Sequence, residues 1–64
     1  MTLTETTTLI LREIDQRRGA TWNEIVEAVK RAGGSPDDAE HAAAQLAHGH
    51  VISQRVKGGQ WVRR

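Results

Sequence analysis

The chain lacks cysteine, phenylalanine and tyrosine, and it contains a single proline among its 64 residues. The absence of cysteine excludes disulfides, thiolate metal sites and cysteine nucleophiles. No apolar run approaches the ~20 residues of a membrane span, and no signal peptide opens the chain, so we expect a cytoplasmic protein. A chain this short buries only ~60% of its unfolded surface, which leaves little room for a deep catalytic cleft. We therefore expect one small binding domain over residues 1–64.

Charge is distributed unevenly along the chain, although the net charge is only +1. All eight acidic residues precede His48. The segment from His48 to Arg64 contains no acid and four basic residues, namely Arg55, Lys57, Arg63 and Arg64. This asymmetry favours an anionic partner for the C-terminal segment.

Apolar periodicity predicts three helices, over about residues 3–18, 22–33 and 36–48. Each helix starts at a hydroxyl residue suited to capping: Thr2, Thr21 and Ser35. The inward stripes predicted for the first two helices are Leu3, Ile10 and Ile14, then Trp22, Ile25, Val29 and Ala32. Leu9 is expected on the exposed face of the first helix, where a weak homodimer contact is one alternative to a monomer.

The third helix is expected to pack through small side chains. Its inward stripe is almost entirely alanine, so it can approach its neighbours closely: Ala39, Ala42, Ala43 and Leu46. Its outward stripe consists of Asp37, His41, Ala44, Gln45 and His48. Three acids stand in its first turns, where they can satisfy the helix dipole: Asp37, Asp38 and Glu40.

A β-hairpin is predicted for residues 50–64, with a very short strand before the second helix. Gly58-Gly59 offers two residues for a tight turn with positive φ. In that register Val56 lies opposite Trp61, and the strand alternation places Ile52, Val56 and Trp61 against the helices. The other face carries polar side chains: Arg55, Lys57, Gln60 and Arg64.

The order of these elements resembles that of winged helix-turn-helix domains, an α+β fold in which three helices precede a two-stranded wing. The likeness covers almost the whole chain. It depends on Gly33-Gly34-Ser35-Pro36 between the second and third helices, on the junction Leu46–Ile52 that leads into the wing, and on Trp61 in the last strand.

The resemblance implies a non-catalytic DNA-binding protein, such as a small regulator of transcription or replication. The brevity of the chain and its initiator Met would suit a phage, plasmid or archaeal protein, or a domain cut from a larger one. The third helix would enter the major groove of duplex DNA, and the wing would touch the backbone or the minor groove. Gln45 can pair with the edge of adenine, and Ala44 can contact a thymine methyl group. The implied groove residues are His41, Ala44, Gln45 and His48. The implied phosphate contacts are Arg55, Lys57, Arg63 and Arg64.

The acidic start of the third helix keeps an alternative open. Carboxylates close to DNA phosphates would oppose binding, and the same carboxylates would be tolerated in a helix that does not enter a groove. The alternative function is a protein–protein interaction module that inhibits or recruits a larger complex.

Neither a metal site nor an active site is expected. The helical histidines His41 and His48 are two turns apart, ~10.5 Å along the axis, which is too far for two imidazoles to share one ion. No well-placed fourth ligand completes a site with these two residues and His50. Asp37 and Asp38 are adjacent and point to different helix faces, so they cannot converge as a carboxylate pair. The glycine pairs lack the lysine of a phosphate-binding loop. We predict no cofactor, no metal and no catalysis.

Overall fold

The computed structural model describes all 64 residues and contains α1 (Leu3–Arg17), α2 (Trp22–Arg31), α3 (Pro36–His48), β1 (Ile52–Gln54) and β2 (Trp61–Arg63). β1 and β2 pair antiparallel. The predicted α+β class and its layout, three helices followed by a two-stranded hairpin, are confirmed, and the layout is consistent with a winged-helix-like arrangement. α1 and α2 end slightly before their predicted bounds, and α3 has the predicted ones. None of the helices has the length and apolar content needed to cross a membrane.

A backbone bridge joins the α1–α2 connection to the hairpin. The Ala20 N–H donates to the Trp61 carbonyl at 2.9 Å, and the Trp61 N–H donates to the Ala20 carbonyl at 2.7 Å. This bridge stands where we predicted a very short strand before α2. Because β2 lies between Ala20 and β1, the hairpin is attached to the helical part along one edge.

All three helices begin with a capping box, in which the N-cap hydroxyl accepts from an amide and a carboxylate accepts from the N-cap amide. In the third box the Asp38 carboxylate accepts from the Ser35 N–H at 3.0 Å. This backbone hydrogen bond, assisted by the Ser35 hydroxyl, holds the pKa of Asp38 below its ordinary value. At least one acid at the start of α3 therefore serves the cap.

The core lies between the three helices and β1. Its large side chains are isoleucines and a valine that are almost fully buried: Ile10, Ile14, Ile25, Val29 and Ile52. α3 contributes small side chains and one leucine, as predicted: Ala39, Ala42, Ala43 and Leu46. These small residues allow α3 to pack against both α1 and α2.

The inward face of α1 differs from the predicted one. Leu3 is 46% exposed, whereas Thr6 is buried on the same face as Ile10 and Ile14. The Thr6 hydroxyl donates to the Thr2 carbonyl at 2.7 Å, so its polar group is satisfied and its methyl group can enter the core. Leu9, which we expected in solvent, is partly buried against the core.

Trp22 and Ala32 lie outside the core, contrary to the prediction for α2. Trp22 is the first residue of α2 and is 36% exposed, and Ala32 is exposed after the last turn. Residues at the ends of a helix project past the layer that its central turns bury, so apolar spacing alone misplaced both side chains. Trp22 instead lies beside Trp61 and the alanines of α3.

The register of the hairpin differs from the predicted one by two residues. Trp61 lies opposite Gln54, not opposite Val56. The turn is closed by the Gly59 N–H, which donates to the Val56 carbonyl at 2.8 Å, and Gly58 has a φ of +79°. Lys57 and Gly58 are therefore the central residues, and Gly58 occupies the position that needs positive φ in a type II turn.

The register also changes the environment of Val56. This side chain was predicted to pack against the helices, and it is instead 67% exposed. A shift by two residues preserves the alternation of strand faces. Ile52 and Trp61 therefore remain on the side that packs against the core.

Two alanine substitutions distinguish these registers. Ile52→Ala removes fully buried methylene groups and should lower the free energy of unfolding by about 2–5 kcal/mol. Val56→Ala removes methyl groups that already contact water and should change it by less than about 0.5 kcal/mol. Urea unfolding followed by tryptophan fluorescence measures both. A large loss in Val56→Ala would contradict the register described here.

Acid should destabilise the fold through the capping boxes. Each capping carboxylate accepts a backbone N–H, which lowers the pKa of Glu5, Glu24 and Asp38 from ordinary values of 4.5, 4.5 and 3.8. A pKa that is lower in the folded chain stabilises the fold above the unfolded pKa, and this stabilisation is lost as pH falls through the folded value. We expect the melting temperature of Asp38→Asn to fall less steeply than that of the wild type below about pH 4.

The matched control for this experiment is Asp37→Asn, which removes a charge from the same turn without touching the capping box. Circular dichroism at a series of pH values measures the melting temperature of all three proteins. If Asp37→Asn and Asp38→Asn flatten the acid dependence equally, the capping bond is not its cause.

Candidate nucleic-acid interface

The outer surface of α3 gathers four of the predicted site residues. They are spaced by three and four positions, so they share one face of the helix, and all four are exposed: His41, Ala44, Gln45 and His48. We call them the α3 face. Together with Leu3 of α1 they line one open depression of about 520 Å³. No acidic side chain lines it.

This face combines groups that suit the edges of bases. The Gln45 amide can donate and accept at once, the two imidazoles add polar nitrogen atoms, and Ala44 adds a methyl group between them. Asp37 and Glu40, the acids of α3 outside the cap, do not line the depression. The carboxylates at the start of α3 therefore lie outside this depression.

The four basic residues predicted to contact phosphates are in three different situations. Arg55 and Lys57 are exposed at the hairpin tip and form no ion pair. Arg64 donates to Nδ1 of His50 at 3.2 Å. Arg63 is held by Asp15 of α1, with Nε and Nη2 donating to the two carboxylate oxygens at 3.0 and 3.1 Å. The sequence suggested that Arg63 is a free cation, but in the structure it is paired with Asp15.

Most acids of the chain have an internal partner. Four acids form ion pairs: Glu13, Asp15, Glu24 and Glu27. Two more, Glu5 and Asp38, serve capping boxes. Only Asp37 and Glu40 have neither kind of partner. Six basic residues, by contrast, form no ion pair: Arg12, Arg18, Arg31, Arg55, Lys57 and Arg64. A capping carboxylate keeps its charge, so the six unpaired cations stand against four carboxylates outside ion pairs, Glu5, Asp37, Asp38 and Glu40, and the unpaired charge is positive by a small margin.

The α3 face and the hairpin cations lie at opposite ends of α1. Leu3 borders the α3 face, and Asp15 lies in a second depression with Arg55 and Arg63. Twelve residues separate Leu3 from Asp15, which corresponds to about 18 Å along the helix axis. The structure therefore brings the four α3 residues together in one depression and Arg55 and Arg63 in another, whereas Lys57 and Arg64 line neither.

An apolar groove adjoins the α3 face, and sequence reasoning missed it. We call it the tryptophan groove. It has a volume of about 330 Å³ and is lined by Trp22, Glu40, Ala43, Ala44, Ala47 and Trp61. Both tryptophans were assigned to the core from apolar spacing. The position of Trp22, directly after the N-cap Thr21, is the signal that argues for exposure.

The histidines and carboxylates do not form a metal-binding cluster. No three of these side chains converge closely enough to hold one ion.

Comparison with protein-family models, curated proteins and solved structures finds no match to this chain. The class of the protein is therefore defined by its own geometry, a small α+β domain of three helices and an antiparallel hairpin.

Proposed function

We propose that this chain is a non-catalytic DNA-binding domain of the winged-helix type, acting in the cytoplasm as a regulator of transcription or replication. The observation that supports it most is the division of charges. Acidic side chains are used in helix caps and ion pairs, whereas the hairpin carries no acid and presents unpaired Arg55 and Lys57 at its tip. A polyanion with regularly spaced charges is the partner that suits this surface.

In this proposal α3 enters the major groove of duplex DNA. Gln45 pairs with the edge of adenine, and Ala44 contacts a thymine methyl group. His41 and His48 flank them on the same face, one turn before and one turn after, and supply further hydrogen-bonding groups.

The hairpin contacts the backbone outside the groove that α3 occupies. Leu3, beside the α3 face, and Asp15, beside Arg55, lie about 18 Å apart along the axis of α1. In this proposal Arg55 and Lys57 therefore meet phosphates beyond the ~12 Å width of the major groove that α3 occupies. Phosphate contacts position a protein on the duplex, and groove contacts carry the sequence preference. The hairpin therefore supplies affinity, and α3 supplies selectivity.

Neutralising the hairpin tip should weaken binding and its dependence on salt. With Arg55, Lys57 and Arg64 as contacts, the plot of log affinity against log salt has a slope of about −3. Arg55→Ala with Lys57→Ala should reduce the magnitude of that slope by about 2. Fluorescence anisotropy of a labelled random duplex across a salt series measures both quantities.

The control for this substitution is Arg12→Ala with Arg31→Ala, which removes the same charge from exposed, unpaired positions of α1 and α2. We expect a smaller loss of affinity and an unchanged slope. Equal losses in the two double variants would place the contact elsewhere than on the hairpin.

The role of α3 can be tested through its two acids without internal partners. Asp37→Asn with Glu40→Gln removes two negative charges beside the groove-reading residues and leaves Asp38 in its cap. If α3 lies in the groove, the double variant should bind duplex DNA more tightly, because two repulsions of phosphate are lost. An affinity equal to that of the wild type would contradict the placement of α3 in the groove.

A second candidate function is favoured by the tryptophan groove. Its two tryptophans and three alanines form an apolar surface next to the unpaired carboxylate of Glu40. A protein partner that inserts an apolar side chain and pairs a basic residue with Glu40 would fit it. In that case Asp37→Asn with Glu40→Gln would weaken the protein complex and leave DNA affinity unchanged.

A further inference from the structure

Three arginines surround one carboxylate at the end of α1. A depression of about 250 Å³ lies between α1 and the hairpin and is lined by Ile14, Asp15, Arg18, Arg55, Val62 and Arg63. We call it the arginine depression. Its arginines come from three separate segments: the C-cap of α1, the residue after β1, and β2. Asp15 is the only acid that lines it.

Two of these arginines have a fixed backbone and no ion pair. Arg18 adopts a left-handed conformation, with a φ of 56°, and its N–H donates to the Ile14 carbonyl. The Arg55 N–H donates to the Gln60 carbonyl at 3.0 Å. Neither guanidinium has an acidic partner within 4.0 Å. Both residues line the depression, and neither charge is neutralised by an ion pair.

The third arginine is held in a geometry that a phosphate can reproduce. Arg63 makes two parallel hydrogen bonds to the Asp15 carboxylate, at 3.0 and 3.1 Å, as guanidinium groups also do with two phosphate oxygens. About half of each side chain is exposed, at 48% for Arg63 and 51% for Asp15. Ion pairs this exposed contribute little to stability, so the exchange of one anion for another is not costly.

We propose that Arg18, Arg55 and Arg63 form a binding site for one phosphate group, and that the Asp15 carboxylate is its internal competitor. In the free protein Arg63 pairs with Asp15. When a phosphate enters the depression, Arg63 transfers its two hydrogen bonds to the phosphate oxygens, and Arg18 and Arg55 neutralise the remaining charge. The site rests on the proposed DNA-binding function, in which the ligand is a backbone phosphodiester.

In this proposal Arg18 and Asp15 have roles that their local sequence does not indicate. The position of Arg18 after the last turn of α1 suits a cation at a helix C-terminus, and Asp15 is one of several exposed acids. Only the folded chain places them next to Arg55 and Arg63. Asp15 then lowers the affinity for any duplex.

Removing the competitor should strengthen binding. Asp15→Asn removes the competitor that Arg63 must leave on binding, so duplex affinity should rise, while the log–log salt slope should stay unchanged because Arg63 contacts the same phosphate in both proteins. Arg18→Gln should lower duplex affinity, because one of the three cations at that phosphate is lost. Glu27→Gln is the matched control, because it breaks another exposed ion pair, that with Lys30, and should leave duplex affinity unchanged. Anisotropy titrations with one labelled duplex measure all four proteins, and circular dichroism verifies that each is folded.

A second titration separates this site from the proposed function. Inorganic phosphate is added to the wild type while the arginine Nε–Hε signals are followed by NMR. If duplex binding depends on Arg55 and Lys57 but is insensitive to Asp15→Asn and Arg18→Gln, the site is refuted and the proposed function stands. If no duplex binds even at low salt, the proposed function fails. Shifts of the Arg18, Arg55 and Arg63 signals would then support a site for free phosphate, and unchanged signals would refute it.

Discussion

The hydrogen-bonded bridge between Ala20 and Trp61 positions both the arginine depression and the tryptophan groove. It holds the end of α1 against the hairpin, so that Arg18 stands beside Arg55, and it holds the start of α2 against β2, so that Trp22 stands beside Trp61. The bridge requires Gly19, whose φ is +127°. A Cβ at Gly19 would lie 3.2 Å from the Gln60 side chain and 3.3 Å from that of Val62, so glycine is needed for space as well as for conformation.

The acidic residues of this chain act mainly within the fold. One carboxylate closes each helix start, and Arg17 joins Glu13 of α1 to Glu24 of α2 with two contacts of 2.7 Å. Carboxylates with internal partners are oriented towards those partners, whereas unpaired cations are available to a ligand. A count of charges shows neither this difference nor the absence of acids from the hairpin of a nearly neutral chain.

Much of the fold could be predicted because its signals are local. The cap at Ser35, the alanine stripe and the polar stripe of α3 all lie within 14 consecutive residues, and the structure places each as expected. The errors arose where the sequence permits two solutions. Gly58-Gly59 is compatible with a turn centred on both glycines or on Lys57-Gly58, and Thr6 is polar by composition but buried once its hydroxyl is bonded.

The candidate site likewise has one part that the sequence predicts and other parts that it does not. The α3 face follows from helical spacing, so its four residues could be predicted together. The Asp15–Arg63 pair joins residues 48 positions apart, and no periodicity or motif indicates which acid meets which arginine. The tryptophan groove depends on contacts between α2, α3 and β2, which apolar spacing within one element does not describe.

The shortness of the hairpin has a dynamic consequence. Each strand has three residues, and beyond them the tip is held by the backbone bonds from Arg55 to Gln60 and from Gly59 to Val56 and by the Gln54 side chain, which donates to the Gly59 carbonyl at 3.0 Å, with no fully buried side chain. Opening the tip exposes almost no apolar surface, so we expect its amide hydrogens to exchange through local fluctuations and those around Ile25 and Val29 to exchange only when the whole domain unfolds. Arg55 and Lys57 thus lie in a segment that can adjust to regularly spaced negative charges, while α3, which packs through its alanines, stays fixed.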